Sequence, residues 1–317
     1  MSRTKRYLTT TLGAAVLGAA MLGTPAAAQA QDEPAGPNTG KISFSAGIDI
    51  ADAYYFRGIK QENDGVQLQP YFEMNIDLYE GDGILQSLGI VLGSWSSFHF
   101  DDPPSVRAGG DPSRWYEADI YAGLSLGLAD TWSLSAIYTA YMSPNGAFTT
   151  VQDVNFTIGY DDSGCWEQIV QIDGFAGLQP WVSFIAELDN QADAGNGFPG
   201  AGGTEEGVAL LVGITPSMTL IASEDMPVTL TVPVTAGFSI EDYYERIKPS
   251  GSVDDDNFGY VEVGLVLSTP LAFIPADYGE WEVYGSVNFL FLGETTEELN
   301  SDDDFEVYFK IGAGFTY

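Results

Sequence analysis

An all-β chain, closed into an antiparallel transmembrane barrel of about twelve strands, is the fold class this sequence predicts, with ten to fourteen strands allowed. Three features point to it: a strictly alternating final strand, long alternating segments upstream, and an N-terminus built like a secretory leader. From Phe305 to Tyr317, Phe305, Val307, Phe309, Ile311, Ala313, Phe315 and Tyr317 share one face, while Glu306, Tyr308, Lys310, Gly312, Gly314 and Thr316 share the other. Successive strand side chains point to opposite faces, so this segment has an apolar wall and a more polar one. That division suits a barrel stave, apolar toward lipid and polar toward a lumen.

At the N-terminus, Arg3, Lys5 and Arg6 precede the apolar, small-residue stretch from Leu8 to Leu22, and Ala28-Gln29-Ala30 offers a small-x-small cleavage site. Residues 1–30 therefore read as a signal peptide, 31–40 as a flexible leader and 41–317 as one barrel domain. No later segment supplies the roughly 20 uninterrupted apolar residues of a spanning helix. A chain destined for a membrane must then enter as a closed barrel, because lipid offers no partner to an open sheet edge. The terminal aromatics Phe315 and Tyr317 resemble the C-terminal assembly signal of bacterial outer-membrane barrels. That resemblance implies the barrel-assembly machinery as a partner and the bacterial outer membrane, with its lipid and lipopolysaccharide, as the location.

Composition excludes several functions. Removing residues 1–30 takes three of the 11 basic residues and none of the 45 acidic ones, leaving a net charge of about −37. So acidic a chain repels nucleic acid. One Cys and one His supply too few ligands for a zinc site and no intramolecular disulfide, and neither a metal nor a cofactor is expected.

Twelve alternating segments follow one another: 41–52, 66–79, 86–98, 115–128, 131–142, 150–160, 180–189, 207–221, 227–240, 257–268, 280–292 and 305–317. In 66–79 the period runs unbroken for 14 residues. A tilted strand needs about 9–11 residues to cross a bilayer, whereas strands of soluble domains average about 5–6. The connections alternate in length, as barrels with both termini on one side require. Those at 53–65, 99–114, 190–206, 241–256 and 293–304 are long, and those at 80–85, 129–130 and 222–226 are short. Two places fit poorly: 161–179 is long where a short turn belongs, and 207–221 is apolar on both faces with Pro216 inside it.

Taking the apolar parity as lipid-facing, the lumen receives Asp49, Glu73, Asp77, Glu117, Asp119, Asp153, Glu187, Glu262, Glu282 and Glu306 against Lys310 alone. If the first strand runs outward, Asp49, Glu117, Asp119, Asp153, Glu187, Glu262 and Glu306 form an acidic ring at the outer mouth. Such a ring concentrates cations and repels anions. The competing reading is a narrow or plugged barrel whose interior is filled by Tyr71, Tyr79, Tyr121 and Tyr308. Acidic loop runs at 254–256, 297–298 and 302–304 lack the spacing and glycine of a calcium loop and read as solvated charge.

A hydrolase would rest on His99 beside Ser94, Ser96 or Ser97, with Asp101 or Asp102 as the orienting group. Ser97 and His99 share a strand face, but the aspartates lie in the loop beyond, so no catalytic residue is assigned. Cys165 has no neighbouring base to activate it and reads as an inert thiol. Trp115, Trp132, Trp166, Trp181 and Trp281 stand near strand ends, as interfacial girdles require.

Within Ala51 to Pro70, Tyr54-Tyr55-Phe56-Arg57-Gly58-Ile59, then Gln61, then Val66 and Gln67, resemble the Y-x-F-R-G-[IV]-S-Q motif and following segment of the TorF-like porin family, with Lys60 in place of the usual Ser. The resemblance implies a small outer-membrane channel and names no solute. Arg57 would stand just beyond the top of the first strand, within reach of Asp49 and available to line the path. The function expected is passive diffusion of small hydrophilic solutes, cation-preferring, with no chemical step. The alternative is a closed barrel used as a structural or adhesion scaffold. Association into a homo-oligomer stays open.

Overall fold

The computed structural model describes residues 38, 40–100, 114–166, 169–170, 172, 174–192, 205–223, 226–248 and 250–317. Residues 1–37 and 39, within the stretches expected to be a signal peptide and a flexible leader, lie outside the described residues, as do Asp101, Asp102 and parts of the 99–114 and 190–206 connections. What is described is a closed antiparallel barrel of 12 staves. Its strands are β1 (Ile42–Ala51), β4 (Gln67–Glu80), β5 (Leu85–His99), β6 (Trp115–Leu128), β7 (Trp132–Met142), β8 (Val151–Tyr160), β9 (Trp181–Asp189), β10 (Val208–Ile214), β11 (Ser217–Ile221), β12 (Val228–Thr231), β13 (Val234–Glu241), β16 (Phe258–Pro270), β17 (Glu280–Leu292) and β18 (Phe305–Thr316). Between them stand two small hairpins, β2 (Tyr54–Phe56) with β3 (Ile59–Glu62), and β14 (Glu245–Ile247) with β15 (Val253–Asp255). Sequential neighbours pair throughout, and β18 against β1 completes the ring. Main-chain bonds between Phe44 and Tyr317, 2.8 Å in both directions, finish that seam.

Both poor fits have a physical origin. The 207–221 stave is broken into β10 and β11 around Thr215 and Pro216, and the adjoining 227–240 stave into β12 and β13 around Val232 and Pro233. Neither proline has an N–H for the ladder, and placing both breaks side by side keeps the damage local. There the Val232 amide donates to the Pro216 carbonyl at 2.9 Å. The 161–179 connection is not slack chain: it carries the short helix α1 (Ser163–Trp166) and is organised by Asp162. One Asp162 oxygen accepts from the Leu178 and Gln179 amides at 2.8 and 2.9 Å, and the other accepts from the Trp166 indole at 2.7 Å.

Parity governs the two faces of the wall. Ile120, Leu124, Phe156, Phe184, Leu267, Phe309 and Ile311 are exposed on the outside. Polar residues such as Gln69, Thr139, Asn155, Thr157 and Ser183 are buried inside. A continuous exposed apolar surface of this kind marks contact with lipid. Aromatic pairs stand at both of its edges. Phe98 with Trp115, Phe238 with Phe258, and Phe291 with Phe305 lie at the rim away from the termini, called distal below. Trp132 with Tyr160 and Trp281 with Phe315 lie at the terminal rim. Among the described residues no helix is long and apolar enough to cross a membrane.

Candidate functional site

Barrel function is decided in the lumen, and its distal half is occupied by the first connection. The β2–β3 hairpin turns inward, and every residue from Tyr54 to Glu62 is buried. Arg57 and Gly58 form its two-residue turn at φ of 50° and 86°, the left-handed geometry that tight hairpins demand. Glycine is required at the second position twice over, because a Cβ there would also meet the Tyr260 ring at 2.9 Å.

The hairpin divides the lumen in two. Tyr54 and Phe56 pack with Trp95, Tyr116, Tyr121, Ile137 and Tyr141 on one side. Tyr55 and Ile59 pack with Ile185, Leu211, Tyr244, Tyr260, Leu290 and Tyr308 on the other. Wall glycines make room for these rings: a Cβ on Gly93 would lie 2.1 Å from the Tyr121 ring.

At the tip, the Arg57 guanidinium is 1% exposed and reaches the wall almost opposite its root. One terminal nitrogen donates to Tyr243 at 2.5 Å, and the other donates to Asp153 at 2.8 Å and Tyr141 at 3.0 Å. Tyr141 in turn donates to the same Asp153 oxygen at 3.1 Å. The Phe56 ring lies 4.6 Å from the guanidinium carbon, adding a cation–π contact. Burial pushes the loop phenol of Tyr243 upward, so it stays neutral beside the cation.

Backbone groups of the turn are caught as well. Tyr244 donates to the Arg57 carbonyl at 3.1 Å, and Asn300 donates to the Gly58 carbonyl at 2.7 Å. Lys60 gives its amide to Asn300 at 2.6 Å and its ammonium to Asn300 and Ser301, both at 3.1 Å. Asn300 ends the short helix α2 (Glu294–Leu299) in the last distal connection. Tyr116 donates to Gln61 at 2.6 Å.

The residues expected at the outer mouth all lie on the inward parity, and part of the set, Asp153 above all, meets this hairpin. Asp49 contacts Lys310 at 3.5 Å and accepts from Tyr284. Arg57 therefore pairs with Asp153, not with Asp49, because the connection folds back into the lumen and carries the guanidinium across it. Glu187 accepts from the Ala192 and Gly207 amides at 2.7 and 2.9 Å and so ties down its own connection. Glu262 accepts from Tyr308. Glu117 and Asp119 are buried as neighbours on β6, and Glu306 is half-buried on β18 beside Tyr55.

Deeper in the lumen, Glu73 accepts from Asn75 at 2.9 Å and Tyr121 at 3.1 Å. Asp77 and Glu282 stay partly exposed toward the terminal rim. Of the tyrosines expected to fill the interior, Tyr121 and Tyr308 are buried there and Tyr71 is half-buried. Tyr79 is 43% exposed, because a register shift between Asp77 and Tyr79 breaks the parity of β4.

The structure also brings Ser97 to His99, Oγ to Nε2 at 3.0 Å, with a Glu62 oxygen 3.8 Å from Nδ1. Glu62 comes from the hairpin, a partner that sequence proximity did not indicate. Both side chains of the pair are fully buried, and Tyr116 stacks on the imidazole at 4.2 Å. Ser94 and Ser96 have the opposite parity. A recess at the distal end is lined by Phe56, Gln61, Glu117, Tyr141, Phe148 and Asn190 among others, but by neither member of this pair.

The closed ring, the apolar exterior and the aromatic belts at both rims decide the class. This is an outer-membrane β-barrel. No family model matches the chain, and no curated protein sequence matches it. Solved structures to which the chain is similar include three of different kinds. One is an outer membrane channel from Pseudomonas putida F1, 12% identical over 90% of this chain and 100% of that one, with a TM-score of 0.46. Another is the beta domain of the Bordetella autotransporter BrkA, 10% identical over 88% and 99% of the chains, at 0.41. A third is the outer membrane phospholipase A of Escherichia coli, 12% identical over 90% and 94%, at 0.40. At these identities no residue role passes from them to this barrel.

The inward course of the hairpin was the feature missed in the sequence. Its signal was present in Tyr54-Tyr55-Phe56, which is aromatic on both parities: a strand buried on both faces has no solvent side.

Proposed function

We propose that this barrel is a porin-like channel for passive diffusion of small hydrophilic solutes, with preference for cations and no chemical step. The observation that carries the reading is the inner face, where Gln69, Glu73, Thr139, Asn155, Thr157, Ser183 and Asn288 line the wall although they are enclosed. A barrel needing only to fill its interior does so more stably with apolar side chains, because each enclosed polar group costs desolvation unless it is bonded. Cation preference follows from charge. The buried lumen residues include Asp49, Glu73, Glu117, Asp119, Asp153, Glu187 and Glu262, against Arg57, Lys60 and Lys310. An excess of fixed carboxylates attracts cations into a confined aqueous path. The likeness of residues 51–70 to TorF-like porins agrees with the same reading.

A second reading, a closed scaffold presenting acidic loops, is favoured by the hairpin that fills the distal lumen. Planar-bilayer recording in a KCl gradient separates the two. The channel reading expects conductance with a cation-selective reversal potential that shrinks when Glu117→Gln and Asp119→Asn are combined. Barrels that show heat-modifiable mobility yet carry no current, with or without residues 54–62, would overturn it in favour of the scaffold.

A further inference from the structure

We propose that the β2–β3 hairpin is the gate of this lumen and that Arg57 is its latch, so that solute passes only when the guanidinium leaves Asp153. The inference rests on the channel reading and deepens it.

Three observations carry it. Among the described residues the hairpin crosses the lumen: it is rooted between β1 and β4, and its tip is held on β8, four to five staves away in a ring of 12. It is also a separate two-stranded sheet, with no ladder to any stave. Its ties to the wall and to neighbouring distal connections run through side chains, chiefly those of Arg57, Lys60, Tyr116, Tyr244 and Asn300. A unit held in this way can leave without unzipping the barrel, because no interstrand ladder need break. Third, one leg, from Asn63 to Val66, is exposed and contains Gly65 at φ 72°, so the hairpin has a permissive joint at its root.

Arg57 is the latch among these ties because it engages Asp153, Tyr141 and Tyr243 together, on two staves and a distal connection. Charge-assisted bonds in an enclosed site are the strongest of the set. Releasing the guanidinium also leaves Asp153 facing the lumen, which adds a carboxylate to the open path. Opening and cation preference are thereby coupled through one residue.

The test is open probability in planar bilayers, with heat-modifiable mobility confirming that each variant folds. The chain carries Cys165→Ser throughout, so that introduced thiols are the only ones. Arg57→Ala is expected to raise open probability at least about tenfold, the factor that ~1.4 kcal/mol of lost latch would give. A second variant, Lys60→Cys with Ser301→Cys, ties the hairpin to the last connection through a short bis-maleimide. Before crosslinking it should gate at least as freely as the parent, because the Lys60 tie to Ser301 is lost, and after crosslinking it should fall silent. A folded Arg57→Ala barrel with unchanged open probability overturns the latch, as does a crosslinked barrel that still gates. Replacing residues 54–62 by a short Gly-Ser link distinguishes failure of the gate from failure of the channel. If that barrel conducts while the other two variants behave like the parent, the gate is wrong and the channel stands. If it folds and never conducts, both are wrong.

Discussion

The two ends of this barrel are made from the same strands, yet they treat their interiors differently. At the distal end Arg57, Tyr243, Tyr244 and Tyr260 are fully enclosed, and the inward carboxylates of Asp49, Asp153, Glu187 and Glu262 are met by a cation, a phenol or a backbone amide. At the terminal end the inward residues Asn75, Asp77, Ser125, Glu282 and Ser286 remain partly exposed. Strand alternation is common to both ends and cannot produce the contrast. The connections produce it: distally a hairpin with apolar residues on both parities folds inward, whereas terminally the turns stay on the rim. A barrel wall thus sets which side chains face the lumen, and one connection sets whether they meet water.

The largest expected effect follows from burying an ion pair at one end only. Asp153→Ala strands the Arg57 cation in an enclosed site and should cost about 3–5 kcal/mol in urea unfolding from lipid vesicles. Asp77→Ala, near the terminal rim, should change the same midpoint by no more than about 0.5 kcal/mol. Equal costs at the two positions would break the comparison. Inner and outer faces are contrasted next. Phe156 is 52% exposed on the outside at mid-height of β8, and Phe156→Arg should cost about 2–4 kcal/mol by placing a charge in lipid. Ser125→Arg, on the wetter terminal lumen, should cost less than about 1 kcal/mol; if it proves the worse of the two, the faces have been assigned in reverse. Gly58→Ala ranks third at about 1–2 kcal/mol, for a left-handed φ and a close approach to Tyr260. An unchanged unfolding midpoint would mean that the turn is not held in the lumen.

Much of this architecture could be read from residue order. Period-two patterning over lengths suited to a bilayer gave the twelve staves and their faces, because lipid and lumen impose opposite polarity on alternate residues. Strand breaks at Pro216 and Pro233 were half legible: the missing N–H marks a break, but not that neighbouring staves break together. The hairpin was not legible as a plug. Arg57 beside Gly58 announces a turn, and a turn says nothing about whether it projects outward or folds back. That choice is made by long-range contacts with Tyr141, Asp153, Tyr243 and Asn300, none of them near in sequence. Asp49 lies nearer in the chain and within the reach expected of Arg57, whereas the pairing is made with Asp153 across the lumen.

The smallest expected effect lies at the terminal rim and tests whether the 161–179 connection is folded on its own account. Burial works to raise the Asp161 carboxyl, but hydrogen bonds from Gln179 and Ser163 outweigh it and hold the group below its ordinary value of 3.8. A carboxylate depressed in the folded state contributes stability that is present above 3.8 and is lost as pH falls through the lower folded value. Because the group is only partly buried, solvent screening keeps the contribution well under ~1 kcal/mol, too small for the global unfolding midpoint. Local opening reports it better. Pepsin cleavage within this connection, measured in vesicles and normalised to Asp161→Asn at each pH, should be slower than in the variant above pH 3.8 and converge on it in stronger acid. A ratio that stays flat across that window would show that Asp161 does not hold the turn, leaving Asp162 and its bonds to Leu178, Gln179 and Trp166 as the organising group.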